Sequence, residues 1–146
     1  MARVLVIEDQ KLLSQLYRSA LATAKHTVIL AHSGEDGVAE ALRAKPDLII
    51  LDLSLPGISG VETAGALQKL GFLPQTPLII ATALGEDARP ILDSFALAAL
   101  LSKPFKISVL LAEVEAALCI SARKISARKS SSSSALKPAA GTSMVV

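Results

Sequence analysis

Aromatic side chains are nearly missing from this chain, with no Trp, one Tyr and three Phe among 146 residues. Any core must therefore be aliphatic, and the supply is ample, since 51% of the residues are apolar. A length of this size suits one domain with a sizeable core. Cysteine occurs once, at Cys119. That excludes an internal disulfide framework and fits a reducing cytoplasm, with Cys119 itself read as a small hydrophobe near the end of the last helix. Long apolar runs are lacking too, and none nears the roughly 18 residues of a bilayer span. The start, Met1-Ala2-Arg3 leading straight into a strand, lacks the form of a signal peptide. Acidic residues are absent from residues 121–146, which carry Arg123, Lys124, Arg128, Lys129 and Lys137. Residues 1–120 carry thirteen acidic against ten basic side chains, so the net charge of +2 belongs to the tail.

What the chain does have is a set of short aliphatic runs, each stopping on a polar residue. Val4-Leu5-Val6-Ile7 ends on Glu8-Asp9, Leu48-Ile49-Ile50-Leu51 ends on Asp52, and Leu78-Ile79-Ile80-Ala81 ends on Thr82. Ala98-Ala99-Leu100-Leu101 is followed by Ser102-Lys103-Pro104. Runs of this length without polar alternation fit strands of a parallel sheet whose two faces are both covered by helices. Ligands of an open sheet of that kind bind beyond the carboxyl ends of its strands. Three carboxylates, a hydroxyl and an ammonium therefore converge on one end of the sheet.

Between these runs the chain alternates. Leu12, Leu13, Leu16, Tyr17, Ala20, Leu21 and Ala24 recur at helical spacing and predict a helix near 11–24. Thr27–Ala31 reads as a second strand. Ser33 precedes a helix near 34–45, with Glu35 and Asp36 in its first turn, and Pro46 stops it. The loop Leu55–Gly60 is rich in turn residues, and Ser59 with Glu62 has capping-box spacing for a helix near 60–70. The fourth helix is weak: Pro90 permits a short helix starting there or a disturbed one. A last helix near 107–121 turns Val109, Leu110, Val114, Ala117 and Leu118 inward. Alternation with short links predicts an α/β, doubly wound parallel sheet of five strands with helices on both faces. Beyond residue 120 the pattern fails in a basic, Ser-rich stretch that includes Ser130–Ser134. Too few large apolar groups remain there to offset ordering entropy, so residues 121–146 are expected to be mostly disordered after a first turn or two continuing the last helix.

Glu8, Asp9 and Asp52 brought together would repel one another unless a cation neutralised them. An all-oxygen, highly charged site suits Mg²⁺, which keeps several waters and takes carboxylates plus a phosphate. With Lys103 as a compact cation and Thr82 as a hydroxyl donor, the parts describe phosphoryl transfer, and a carboxylate can itself be the nucleophile. Asp52 is the best candidate, because loop rather than helix follows it. Taken singly, Asp9 has a second reading as a cap for the first helix, Thr82 is bland and Lys103 reads as a solvated surface cation.

The set Glu8-Asp9, Asp52-Leu53-Ser54-Leu55-Pro56-Gly57-Ile58-Ser59-Gly60, Thr82-Ala83 and Lys103-Pro104-Phe105 resembles the receiver domain of bacterial two-component response regulators, over roughly residues 2–120. The resemblance, not the spacing, supplies a flavodoxin-like strand order 2-1-3-4-5 and a receiver domain at 1–120. It implies that Asp52 accepts a phosphoryl group from the phosphohistidine of a histidine kinase or phosphotransfer protein. Glu8, Asp9, Asp52 and the backbone carbonyl of Ser54 would hold Mg²⁺. Thr82, the N–H of Ala83 and Lys103 would receive the phosphoryl oxygens, and the Lys103–Pro104 peptide would be cis. Ser54 and Leu84 would set the dephosphorylation rate by governing water access. The chain would be a cytoplasmic, stand-alone switch rather than an enzyme, without a DNA-binding domain, that signals through protein contacts or relays the phosphoryl group.

Two departures concern the output face. Leu100 stands where receivers usually carry Tyr or Phe, and Ala96-Leu97-Ala98-Ala99 replaces a more polar segment. A leucine presents neither hydroxyl nor ring, so the fourth-helix, fifth-strand and fifth-helix face would be aliphatic, suited to a partner or a homodimer unless these residues pack internally. An alternative follows: a receiver-like binding module that uses the face around Leu97 and Leu100 without phosphorylation. A haloacid-dehalogenase type of phosphatase ranks far below, since it needs a second Asp where this chain has Ser54. His26 and His32 read as surface turn residues. The basic tail lacks aromatics for base stacking and reads as a solvated segment, not a nucleic-acid arm.

Overall fold

A computed structural model describes residues 2–127 of the chain, with residues 122–127 given by their backbone alone. The aliphatic runs are strands: β1 (Arg3–Ile7), β2 (Thr27–Ala31), β3 (Leu48–Asp52), β4 (Leu78–Thr82) and β5 (Ala99–Ser102). They form one parallel sheet in the order β2-β1-β3-β4-β5, as expected. β3 and β4 are buried at every position, which is why their sequence shows no polar alternation.

The period of two appears in which face each residue serves. Val4, Val6, Leu48, Ile50, Ile79 and Ala81 point to the face covered by α1 (Lys11–Thr23) and α4 (Ile107–Ala127). Leu5, Ile7, Ile49, Leu51, Leu78 and Ile80 point to the face under α2 (Gly34–Ala44) and α3 (Gly60–Lys69). Each fully buried Leu, Ile or Val is worth roughly 1.5–3 kcal/mol of transfer free energy.

The helix starts follow their capping chemistry. The Ser33 hydroxyl accepts from the Asp36 N–H at 3.1 Å. Ser59 and Glu62 close a reciprocal capping box, at 3.1 Å and 3.2 Å. α1 has Gln10 at its N-cap and no side-chain cap, so Asp9 is not spent on that helix.

Three expectations are corrected, and the choice left open at the fourth helix falls one way. No α-helix forms between β4 and β5. A single 3-10 turn, Gly85–Ala88, is followed by further turns through Ser94, the disturbed alternative that Pro90 allowed. On α1 the buried stripe is Ser14, Tyr17 and Leu21 with Leu13 and Ala20 beside it, while Leu12 is 85% exposed and Leu16 40%. On α4, Val109 is exposed and Ile107 takes an inward place. His26 is no surface turn residue. It is buried, accepts the Ala2 N–H through Nδ1 at 3.2 Å, and reaches Glu115 of α4 through Nε2 at 2.7 Å. Because a backbone N–H occupies Nδ1, the ring proton sits on Nε2 and is donated to the Glu115 carboxylate. α4 also continues six residues past 121, and the expected disorder of the remaining tail, 128–146, lies outside the described residues.

Candidate functional site

Each polar residue that ends an aliphatic run stands at the carboxyl edge of the sheet. Glu8 and Asp9 follow β1, Asp52 is the last residue of β3, Thr82 the last of β4, and Lys103 follows β5. β3 lies between β1 and β4, so Asp52 has the acidic pair on one side and Thr82 on the other.

The three carboxylates meet. One oxygen from each of Glu8, Asp9 and Asp52 lies within 4.8 Å of the others. Lys103 reaches in from β5, its Nζ donating to Glu8 Oε1 at 2.9 Å and to Asp52 Oδ2 at 3.3 Å. Asp52 also accepts the Ser54 N–H on Oδ1 at 3.2 Å, and Glu8 accepts the Gln10 N–H on Oε2 at 3.2 Å. Lys103 is aimed by its own backbone, whose N–H donates to the Thr82 carbonyl at 2.9 Å. The Lys103–Pro104 peptide is cis. Behind the lysine, Phe105 is buried beside Tyr17, with ring centroids 6.3 Å apart.

Thr82 is fully buried, and its hydroxyl accepts the Leu84 N–H at 3.1 Å. Thr82 and the exposed Ala83 thus stand at the rim of the neighbouring strand without a hydrogen bond to the carboxylates. Ser54 is exposed on the loop after Asp52, and Leu84 is half exposed.

Burial of a carboxylate in this crowd has an electrostatic consequence. Desolvation pushes the Glu8 carboxyl up to about 7. The Lys103 hydrogen bond pulls it back, the Asp52 charge adds to the rise, and the Lys103 charge and the Gln10 N–H oppose it. Burial also works against the Lys103 ammonium, but the hydrogen bond and charge of Glu8, followed by Asp52, outweigh it and hold its pKa above the ordinary lysine value. Tyr17, beneath the pocket, is held well above the usual phenol range by burial and then by the charges of Glu8 and Asp52.

Two residues make contacts at the site that their sequence readings did not assign. Gly60, the first residue of α3, sits so close under the site that an added Cβ would meet Leu53 Cα at 2.4 Å and the Asp52 carbonyl oxygen at 2.6 Å. Only a glycine lets α3 approach the Asp52 backbone this closely, and the signal was available as a Gly directly after a capping serine. The other is His32, whose Nδ1 lies 3.1 Å from the Glu8 carbonyl oxygen. No spacing rule would have found it.

Comparison with known proteins agrees with this geometry. A family profile described as the response regulator receiver domain matches residues 4–115. The chain belongs to that family. The receiver is 34% identical over 119 residues to the response regulator ArlR of Staphylococcus aureus, a match covering 81% of this chain and 53% of ArlR. It is 33% identical over 89 residues to the transcriptional regulatory protein ResD of Bacillus subtilis, covering 61% of this chain and 36% of ResD. The chain thus spans about half the length of ArlR and less of ResD. Among solved structures, the response regulator TrrA of Thermotoga maritima, in complex with Mg²⁺-BeF, is 30% identical with a TM-score of 0.71, covering 80% of this chain and 98% of TrrA. The chemotaxis protein CheY4 of Vibrio cholerae is 26% identical with a TM-score of 0.74, over 80% of this chain and 98% of that one. Receivers of this family are signalling switches of two-component systems, and the fold is theirs. Among the described residues no helix is long and apolar enough to cross a membrane.

The donor set fits a divalent cation. Three converging carboxylates offer hard oxygen ligands and no soft ones, and their mutual repulsion is offset on one side only, by Lys103. The acidic pocket of the family takes Mg²⁺, and the cluster of Glu8, Asp9 and Asp52 is consistent with such a site.

Proposed function

We propose that this receiver is a phosphorylation-controlled switch in which Asp52 accepts a phosphoryl group from the phosphohistidine of a histidine kinase or phosphotransfer protein. The observation that carries the reading is the position of the Asp52 carboxylate, buried at a strand end between two acidic residues and the Lys103 ammonium. Residues 1–120 form the receiver in this reading, and 121–146 a basic, Ser-rich extension of it.

Glu8, Asp9, Asp52 and the Ser54 backbone carbonyl would hold Mg²⁺. Bound there, the ion supplies charge neutralisation for the phosphoryl oxygens and for the carboxylates. The Asp52 carboxylate forms a P–O bond as the P–N bond to the donor imidazole breaks, and the imidazole leaves carrying that electron pair. Lys103 gives its charge to a phosphoryl oxygen. Thr82, by its hydroxyl, and Ala83, by its N–H, receive the others once the β4 rim turns toward Asp52. Ser54 and Leu84, both open to solvent, flank the path of hydrolytic water. In this reading the chain acts in the cytoplasm, together with its phosphoryl donor.

The signal leaves through protein contacts, with another protein or a second copy, on the face made by the turns after β4, by β5 and by α4. A phosphorylation-independent module built on Leu97 and Leu100 is not favoured, because both are partly buried against the core under the α2 and α3 face.

The direct test is incubation with acetyl phosphate. A hydroxylamine-labile acyl phosphate is expected with Mg²⁺ present, and none with EDTA or in Asp52→Asn. Labelling that survives either change would contradict the proposal.

A further inference from the structure

The parallel ladder between β1 and β2 ends with Ile7 opposite Ala31, and the Glu8 N–H makes one further bond, to the Ala31 carbonyl at 2.9 Å. In a parallel pair the C=O of a residue points to the same side as its N–H, so the Glu8 carbonyl also faces β2. Its ladder partner would be the N–H two residues past Ala31. There, however, the chain turns away, because Ser33 is the N-cap of α2. The acceptor is left without its strand, and the His32 side chain takes it up through Nδ1 at 3.1 Å. A carbonyl oxygen can only accept, so the ring proton of neutral His32 sits on Nδ1.

That carbonyl belongs to the peptide joining Glu8 to Asp9. Its plane fixes the directions in which both side chains leave the backbone. Held by Ala31 on its N-terminal side and by His32 at the carbonyl, the acidic pair is set so that both carboxylates come within 4.8 Å of an Asp52 oxygen. Groups that hold metal ligands by hydrogen bonds tune affinity without touching the ion.

We infer that His32 is a positioning residue for the acidic pair, and that the affinity of the pocket for Mg²⁺ depends on the bond from its imidazole to the Glu8 carbonyl. The inference rests on the Mg²⁺ reading given above and extends it to a residue outside the ligand set. His32 is exposed, so replacing it opens no cavity.

The test is Mg²⁺ titration of the full chain, followed by calorimetry or by amide resonances near Asp9 and Asp52, at a pH where Glu8 is ionised. His32→Ala is expected to weaken Mg²⁺ binding about tenfold. His32→Asn, whose amide nitrogen can take the place of Nδ1, should recover most of that loss. His32→Gln, whose amide sits one bond farther out, should not. A purely structural role would lower the melting temperature of the metal-free chain and leave the Mg²⁺ affinity of the folded protein unchanged. Equal affinity in wild type and His32→Ala, or equal rescue by Asn and Gln, overturns the role of His32 alone. Failure of the wild-type chain to bind Mg²⁺ overturns this inference together with the functional reading beneath it.

Discussion

At the scale of single residues, the pocket concentrates charge in a buried place, and Glu8 carries the consequence. Its carboxyl lies at about 7 in the folded chain against 4.5 for an ordinary glutamate. With no metal bound, the unfolded chain gives up that proton first as pH rises, so stability falls across the window from 4.5 to 7 and is level above it. Denaturant unfolding in EDTA should therefore show wild type losing ground to Glu8→Gln between those two pH values. A constant difference between the two would contradict it. Mg²⁺ affinity has the opposite dependence, since the ion needs the ionised ligand: below about pH 7 it should weaken by up to about tenfold per pH unit. The site residues could be read from sequence because each is a chemically distinctive side chain closing an aliphatic run. His26 could not, since its partner Glu115 is 89 residues away and nothing local marks which turns a distant helix will cover. His32 escaped for another reason: its partner is a backbone carbonyl, which no side-chain motif encodes.

Elements were legible where burial and periodicity agreed. Strands buried on both faces give unbroken aliphatic runs, and the Ser33 and Ser59 caps are local hydrogen-bond chemistry that needs no tertiary context. Helix faces were harder. α1 has more apolar positions than its buried stripe can use, so Leu12 and Leu16 joined the periodic pattern yet face outward. Between β4 and β5 the sequence declared a difficulty, through Pro90, without resolving it. Turns there still anchor the chain, because Ala88 and Leu92 are buried in the core while Ile91 is half exposed. Leu92→Ala is expected to destabilise by about 2–3 kcal/mol, a core-cavity cost, and Ile91→Ala by less than about 0.5 kcal/mol. Urea denaturation of both variants checks this. Similar values for the two would mean that the segment is not pinned through Leu92.

On the scale of the whole molecule, the order β2-β1-β3-β4-β5 is what turns scattered residues into a site. It sets β3 between β1 and β4, so that residues 44 and 51 positions apart from Asp52, Glu8 and Lys103, share hydrogen bonds at one sheet edge. Aliphatic runs alone give the strands but not their order, which came from family resemblance. The account depends on this edge delivering one phosphoryl group to one carboxylate. Borohydride reduction of the chain after treatment with acetyl phosphate and Mg²⁺, followed by peptide sequencing, reads that outcome directly, since an aspartyl phosphate is reduced to homoserine. Homoserine is expected at position 52, with aspartate unchanged at position 9. Homoserine at position 9, or none anywhere, would contradict it.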